Sequence, residues 1–266
     1  MLTIVGDLGY DINITEKGSS YLVGGSGYHT LVGALAIRKF ELEFIACVGK
    51  DFECHDIEKL GITTNYILKD ANDMTTKFIN EYRNGIRKVT INMGASRCLC
   101  FESFDDYILN SNIIHFSATD PNKQRNYINF LKGKGYSGKI AVDVFDEYCK
   151  QYYFETLEVI DECDIVFMNS DEKKILNFNP KNSNKMCIVK NSEYGAECYF
   201  NMRYYNAYEE CCQLEVQDTT GAGDVLAGAF LALLDSGIGI EDALNQAVVL
   251  ATKSVKFLGT NKLLYD

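Results

Sequence analysis

Short apolar runs alternate with longer segments of helical periodicity along most of this chain. Leu2–Val5 reads as a strand, 26–40 as a helix, 43–48 as a strand and 51–60 as a short helix. Further on come Ile113–Phe116 (strand), 122–132 (helix), 139–144 (strand), 152–161 (helix), 165–168 (strand) and 170–176 (helix). Apolar runs of four to six residues suit strands buried on both faces, and the longer amphipathic stretches suit covering helices. Strand-then-helix alternation predicts an α/β fold with a mostly parallel central sheet and helices on both sides. Near the end, 186–189 and Ala196–Phe200 read as sheet edges, and helices follow over 222–234 and 240–257.

Two stretches break the alternation. Residues 12–15 and 21–23 are strand-like around a polar turn at 16–20. Residues 75–82 and 86–93 flank Arg83-Asn84-Gly85, and Asn-Gly between strand-like runs predicts a hairpin with a type I′ turn. Neither stretch fits a βαβ unit. Together they predict a small second sheet projecting from one domain that spans 1–266, with the insertions at about 12–23 and 75–93. That sheet is either a surface decoration or a lid over a site. With prolines only at Pro121 and Pro180, no rigid Pro-rich spacer divides the chain.

The 266 residues carry 26 Lys+Arg against 37 Asp+Glu, a formal net charge of −11. Nucleic acid and anionic membrane are bound through basic patches, so neither is an expected partner. The ten cysteines are scattered without any C-x-x-C, and Cys98, Cys100 and the adjacent Cys211–Cys212 lack a second cluster at zinc spacing. Reduced, partly buried thiols in a cytoplasmic protein are the expectation. No signal peptide is read, because residues 1–8 run directly into a core-type strand. The longest apolar stretch, 225–234, falls well short of the roughly 20 residues that span a bilayer.

Candidate chemistry concentrates in 214–234, L-E-V-Q-D-T-T-G-A-G-D-V-L-A-G-A-F-L-A-L-L. A short β-like run meets a Gly-rich turn and then a helix of small and apolar residues. Gly221-Ala222-Gly223 lets a ligand approach the backbone, and the helix aims unpaired N–H groups and its positive dipole end at the same spot. An anion is the natural guest. Asp224, in the first helical turn, is placed to take a proton from a substrate hydroxyl while those N–H groups stabilise a transferring phosphoryl group. The plainer alternative is that Asp224 only complements the helix dipole. No G-x-x-x-x-G-K-[ST] occurs. The dinucleotide fingerprint G-x-G-x-x-G fails at Leu226, leaving a nicotinamide-dependent oxidoreductase with only a near miss. From residue 204 to 252 there is no Lys or Arg, against Glu209, Glu210, Glu215, Asp218, Asp224, Asp235, Glu241 and Asp242. A phosphate site here is expected to depend on helix-terminal N–H groups, a metal ion and basic residues brought from elsewhere, rather than on a neighbouring lysine.

D-T-T-G-A-G-D followed by V-L-A-G-A-F-L resembles the C-terminal signature of the ribokinase-like (PfkB) carbohydrate kinases. Gly24-Gly25-Ser26-Gly27 is similar to that family's N-terminal glycine motif, F-I-A-C-V-G-K-D at 44–51 to its next strand and turn, and Asn169-Ser170-Asp171-Glu172 to its N-x-x-E motif. The order of these segments extends the resemblance over essentially the whole chain, and the two off-pattern stretches fall where the family carries its β lid. The resemblance implies a three-layer α/β/α fold and transfer of a phosphoryl group from ATP, with Mg²⁺, to a hydroxyl of a sugar or sugar-like molecule. It implies Asp224 as the base and the N–H groups of Gly221, Ala222 and Gly223 as the anion hole. It implies Asp11, Gly24, Gly25 and His29 at the acceptor. Asn169, Glu172 and Lys190 would lie near ATP and Mg²⁺, with Glu172 acting on the metal through water. Asp218 would mark a monovalent-cation (K⁺) site, and the lid would pair in a homodimer. Each residue also has a local reading. Asp11 can cap a turn, Gly24–Gly25 can form one, and Asn169 can N-cap the helix that follows.

The departures from the family pattern concern the acceptor and the nucleotide. His29 stands where the family usually has a sugar-contacting Asn, Gly9 where several members have Asn, and Ser192 where a Gly is common near the nucleotide. G-D-L-G-Y-D at 6–11 and D-V-F-D at 143–146 faintly resemble fructoselysine 6-kinase-like members. A sugar kinase is thus the first expectation. A nucleoside kinase, a fructoselysine 6-kinase-like enzyme and a catalytically silent sugar or nucleotide sensor are the alternatives.

Overall fold

The computed structural model describes residues 1–16, 18–37, 41–61, 67–83, 86–99 and 106–265. The first strand, β1 (Leu2–Val5), is wholly buried. Leu2 and Ile4 point into one apolar core and Val5 into another, while Thr3 hydrogen-bonds Ser111 at 2.7 Å. The continuous apolar run therefore reflects a strand covered on both faces. Strands β2 (Gly9–Thr15) and β3 (Gly18–Gly24) follow, then α1 (Ser26–Ile37), β4 (Leu42–Gly49), α2 (His55–Glu58), β5 (Ile67–Asp70), β6 (Lys77–Arg83) and β7 (Ile86–Asn92). Next come β8 (Ile113–Phe116), α3 (Pro121–Gly133), β9 (Lys139–Asp143), α4 (Asp146–Gln151), α5 (Tyr153–Glu162), β10 (Ile165–Asn169) and α6 (Ser170–Ile175). The chain closes with β11 (Met186–Lys190), β12 (Ala196–Phe200), β13 (Arg203–Ala207), α7 (Ala222–Asp235) and α8 (Ile240–Ser254).

The large sheet runs β13-β12-β11-β10-β9-β8-β1-β4-β5, parallel from β11 to β5 and antiparallel at β12 and β13. One face packs on α1, α7 and α8, and the other on α3, α5 and α6. This is the expected ribokinase-like three-layer α/β/α arrangement. The second sheet, β3-β2-β6-β7, unites the two off-pattern stretches, with β2 and β6 joined in parallel. The Asn84-Gly85 turn lies outside the described residues.

Several sequence expectations need correction. Strands β11 and β12 are interior, and the edges are β13 and β5. The helix expected over 51–60 is reduced to His55–Glu58. Asp51 is instead committed to Thr75, accepting from its N–H and its hydroxyl at 2.7 Å each. The helix expected at 152–161 is preceded by α4, the two meeting at Tyr152, whose φ of −126° is not helical. The β-like run before Gly221 is a 3₁₀ turn at Gln213–Glu215. The helix expected over 26–40 is described to Ile37, and its last three positions lie outside the described residues.

Helices α1 and α7 touch backbone to backbone. A Cβ on Gly33 would collide with the Val225 carbonyl, and one on Gly228 with the Thr30 carbonyl. The small residues of V-L-A-G-A-F are thus a packing requirement. They press the helix carrying His29 against the helix carrying Asp224. Among the described residues, no helix is long and apolar enough to cross a membrane, and nine cysteines are free.

Candidate active site

A cleft of about 740 Å³ lies between the C-terminal ends of the parallel strands and the small sheet. This is within the roughly 300–1,000 Å³ of small-molecule sites, and strand C-termini are where α/β folds bind ligands. Asp11, Gly25 and His29 line it, as do Gly221, Ala222, Gly223 and Asp224, and also Asn169, Glu172 and Lys190. Gly24 and Asp218 stand just behind the wall. Gly24 packs on the Asp11 carboxyl so closely that a Cβ would collide with it.

At the centre is the start of α7. Gly221 is its N-cap, at φ +76°, a left-handed conformation that suits glycine. Ala222 donates its N–H to the Thr219 carbonyl at 3.3 Å, so one member of the expected anion hole is already engaged. Gly223 and Asp224 lie in the first turn, where a helix offers no internal acceptor. Their N–H groups are therefore open to a ligand. Among the described residues the Asp224 carboxylate has no hydrogen-bond donor. Burial and the nearby Asp143 push its pKa up to about 6, against the pull of Lys190 and His29. A first-turn carboxylate that served only the helix dipole would face solvent, but this one faces the cleft.

Lys190, at the end of β11, supplies the basic group that the neighbourhood of Asp224 lacks in sequence. Its Nζ bonds both oxygens of Asp143 at 2.8 and 2.7 Å. It also lies against Gly223, where a Cβ would come within 3.5 Å of the ammonium. Lys190 is thus a basic group brought to the helix terminus from elsewhere in the chain. Burial alone would lower the Lys190 pKa. Asp143, Glu172 and Asp224 outweigh it and hold the pKa above the ordinary lysine value.

Asn169 and Glu172 form a capping box. Asn169 Oδ1 accepts from Asp171 N and Glu172 N at 2.8 Å, and Glu172 Oε2 accepts from Asn169 N at 2.6 Å. The local reading of Asn169 therefore holds, and the cap also fixes both side chains at the cleft wall. Burial pushes Glu172 up to about 8, with Lys190 opposing and Asp143 adding. Ser192 adopts φ +52°, which explains why glycine suits that position in the family pattern.

Asp218 is held by two donors. Its Oδ1 accepts from Thr220 N and its Oδ2 from Asn13 Nδ2, both at 2.9 Å. Asn13 Oδ1 in turn accepts from Asn80 Nδ2 at 2.8 Å, tying the small sheet to the loop before Gly221. Among the described residues no group of three or more His, Cys, Asp or Glu side chains is placed to hold a metal. Both described hydrogen bonds to the Asp218 carboxylate come from N–H donors, Thr220 N and Asn13 Nδ2.

Other residues in or behind the cleft wall escaped the sequence reading. Asp143 appeared there only as part of a subtype hint, and its pairing with Lys190 had no local signal. Asp7 also lines the cleft, and burial raises its pKa to about 6 against Lys123 and a Ser96 hydrogen bond. Asn13, Asn80 and Thr260 bear no motif. From the small sheet, Phe78, Val89 and Ile91, with Met93 just beyond its last strand, give the cleft an apolar lining.

Comparison with known proteins gives the same fold. The cytidine kinase of Thermococcus kodakarensis is 21% identical over 280 residues, covering 97% of each chain. A nucleoside kinase of Methanocaldococcus jannaschii, described as an archaeal member of the ribokinase family, superposes with a TM-score of 0.82 at 20% identity. It covers 99% of this chain and 94% of that one. A ribokinase of Cryptococcus neoformans var. grubii serotype A, solved with ADP, gives 0.81 at 16% identity, with 99% and 96% covered. A family model described as pfkB family carbohydrate kinase matches residues 7–264, and the chain therefore belongs to that family of phosphotransferases acting on an alcohol group.

Proposed function

We propose that this protein transfers the γ-phosphoryl group of ATP to a hydroxyl of a small sugar-containing molecule in the cytoplasm, and that the acceptor is a nucleoside. One observation carries the reading: the Asp224 carboxylate, without a protein donor, faces the cleft beside the open N–H groups of α7. Above its pKa of about 6, Asp224 is the base that takes the proton of the attacking hydroxyl. The first-turn N–H groups of Gly223 and Asp224 and the Lys190 ammonium receive the charge on the transferring phosphoryl oxygens, where preorganised donors contribute most. Asp11, with Gly24 and Gly25 shaping the turn behind it, holds the acceptor. The lid sheet closes over the acceptor and excludes water.

Glu172 and Asn169 fit a hydrated Mg²⁺ and not a direct cage. Asn169 spends its oxygen on the helix cap, and Glu172 keeps one oxygen for a metal-bound water. Bound there, Mg²⁺ would neutralise phosphate charge. A monovalent cation (K⁺) beside Asp218 belongs to the same proposal, and turnover with and without K⁺ checks it. A homodimer through the lid belongs to the same proposal, and the solution mass checks it.

The nucleoside assignment is supported by the apolar lid wall of Phe78, Val89, Ile91 and Met93, which suits a flat base better than a bare polyol. The similarity to cytidine and nucleoside kinases points the same way. The test is ADP release with Mg-ATP over a panel of nucleosides, free sugars and amino-sugar adducts, with the product identified by mass. Turnover highest for a nucleoside is expected. Higher turnover of a free sugar or a sugar–amine adduct would overturn the nucleoside assignment. Thermal stabilisation by these ligands without ADP release from any of them would replace the kinase reading by a sensor.

A further inference from the structure

His29 stands where the family pattern has a sugar-contacting Asn, and the simplest carry-over makes it a hydrogen-bonding partner of the acceptor. The structure leaves it no ring nitrogen for that purpose. Its Nε2 lies 2.7 Å from Asp11 Oδ2 and its Nδ1 lies 2.8 Å from Thr260 Oγ1. The residue is 4% exposed, and its ring lies so close to Gly221 that a Cβ there would collide with it. Three distant segments therefore meet on one imidazole: strand β2 through Asp11, the 3₁₀ turn Thr260–Leu264 through Thr260, and the N-cap of α7 through Gly221.

The consequence falls on Asp11. It is gripped on one side by Gly24 and on Oδ2 by His29, and among the described residues its Oδ1 has no partner. Asp11 lines the cleft. We infer that His29, oriented by Thr260, is a positioning residue that fixes the Asp11 carboxyl so that Oδ1 meets an acceptor hydroxyl, and holds it in register with Gly221. This inference rests on the proposed kinase function only for the identity of the acceptor. The arrangement itself does not depend on it.

Charge supports the geometry. Burial alone would disfavour the imidazolium, but the Asp11 charge and hydrogen bond, with Asp224 and Asp218 further off, outweigh burial and raise the His29 pKa. In either protonation state the Nε2–H donates to Asp11. Nδ1 accepts from the Thr260 hydroxyl when neutral and donates to it when charged. An Asn at this position is too short to span both partners from the same helix.

The test separates positioning from general damage. Thr260→Val removes the hydroxyl at nearly constant volume, and Thr260→Ser restores it. The expected result for Thr260→Val and for His29→Asn is an acceptor KM raised roughly tenfold or more, as for loss of a charge-assisted hydrogen bond. The KM for Mg-ATP should stay within about twofold, and Thr260→Ser should keep the wild-type acceptor KM. Equal changes in both KM values, or no change in Thr260→Val, would overturn the inference.

A second readout needs no turnover. With only three histidines (His29, His55 and His115), the imidazole ¹⁵N signals are assignable. Thr260→Val should move the Nδ1 signal of His29 and Asp11→Asn its Nε2 signal. Unmoved signals would refute the arrangement even if the substrate assignment holds. Moved signals in a protein that phosphorylates nothing would sustain the arrangement while the kinase reading fails.

Discussion

Replacing Lys190 by methionine tests the electrostatic core of the site. The Lys190 side chain is 15% exposed and that of Asp143 is 1% exposed, so the substitution strands a carboxylate that water cannot reach. Breaking a buried pair by removing one partner costs about 3–5 kcal/mol. For a chain of this size each kcal/mol lowers Tm by roughly 2–4 °C, so the variant should melt about 6–20 °C below wild type at pH 8. The sign of the pH dependence follows from burial. Burial raises the Asp143 pKa while Lys190 lowers it, so without the lysine it rises further. A carboxyl with a raised folded-state pKa loses stability as pH climbs above its unfolded value near 4. The deficit should therefore shrink at pH 5 and reach its full size towards pH 8. The double variant Lys190→Met/Asp143→Leu removes the stranded charge. It should recover most of the stability while remaining inactive, since buried pairs replaced by apolar groups are often neutral. Thermal melts across pH, with ADP release in parallel, supply the data. A Lys190→Met protein that melts within a degree or two of wild type at pH 8, or a double variant no more stable than the single, would refute the reasoning.

Other expectations follow from the same groups. The kcat/KM profile should fall on the acid side with a limb near pH 6, because Asp224 must be ionised to take the proton; steady-state rates between pH 5 and 8 measure it. Asn13→Leu removes the bond to Asp218 Oδ2 and the acceptor that Asn13 offers Asn80 Nδ2. It should cost about 1–3 kcal/mol, measured by denaturant melts, and a neutral result would mean that the tie between lid and loop is not formed.

Much of the fold could be read because buried parallel strands write continuous apolar runs, as at Leu2–Val5 and Ile113–Phe116, while the antiparallel Ala196–Phe200 shows itself as a half-buried run. The errors fall where burial stops dictating the pattern. Strand β13 is mostly exposed along R-Y-Y-N-A and borrows its order from β12, and β5 is a four-residue edge. At the site, Gly221 to Asp224 and the Asn169–Glu172 cap were legible because each is one local segment. Lys190–Asp143, Asn13–Asp218, Asn13–Asn80 and His29–Thr260 were not. They join residues 47, 205, 67 and 231 apart, and no local spacing encodes such meetings. The charge count along 204–252 found a real deficit of basic residues but could not see that β11 ends beside it.

The central claim, that Asp224 takes the proton of the acceptor hydroxyl, is tested most directly by Asp224→Asn. The expected turnover with the best acceptor is about 10²–10⁴-fold below wild type, with Mg-ATP still raising the melting temperature. The fold itself should gain stability. Its carboxyl has a folded pKa of about 6 against the ordinary 3.8, so the ionised form opposes folding at pH 8, and that penalty disappears in the amide and below about pH 4. A folded Asp224→Asn protein that phosphorylates the acceptor as fast as wild type would contradict the account.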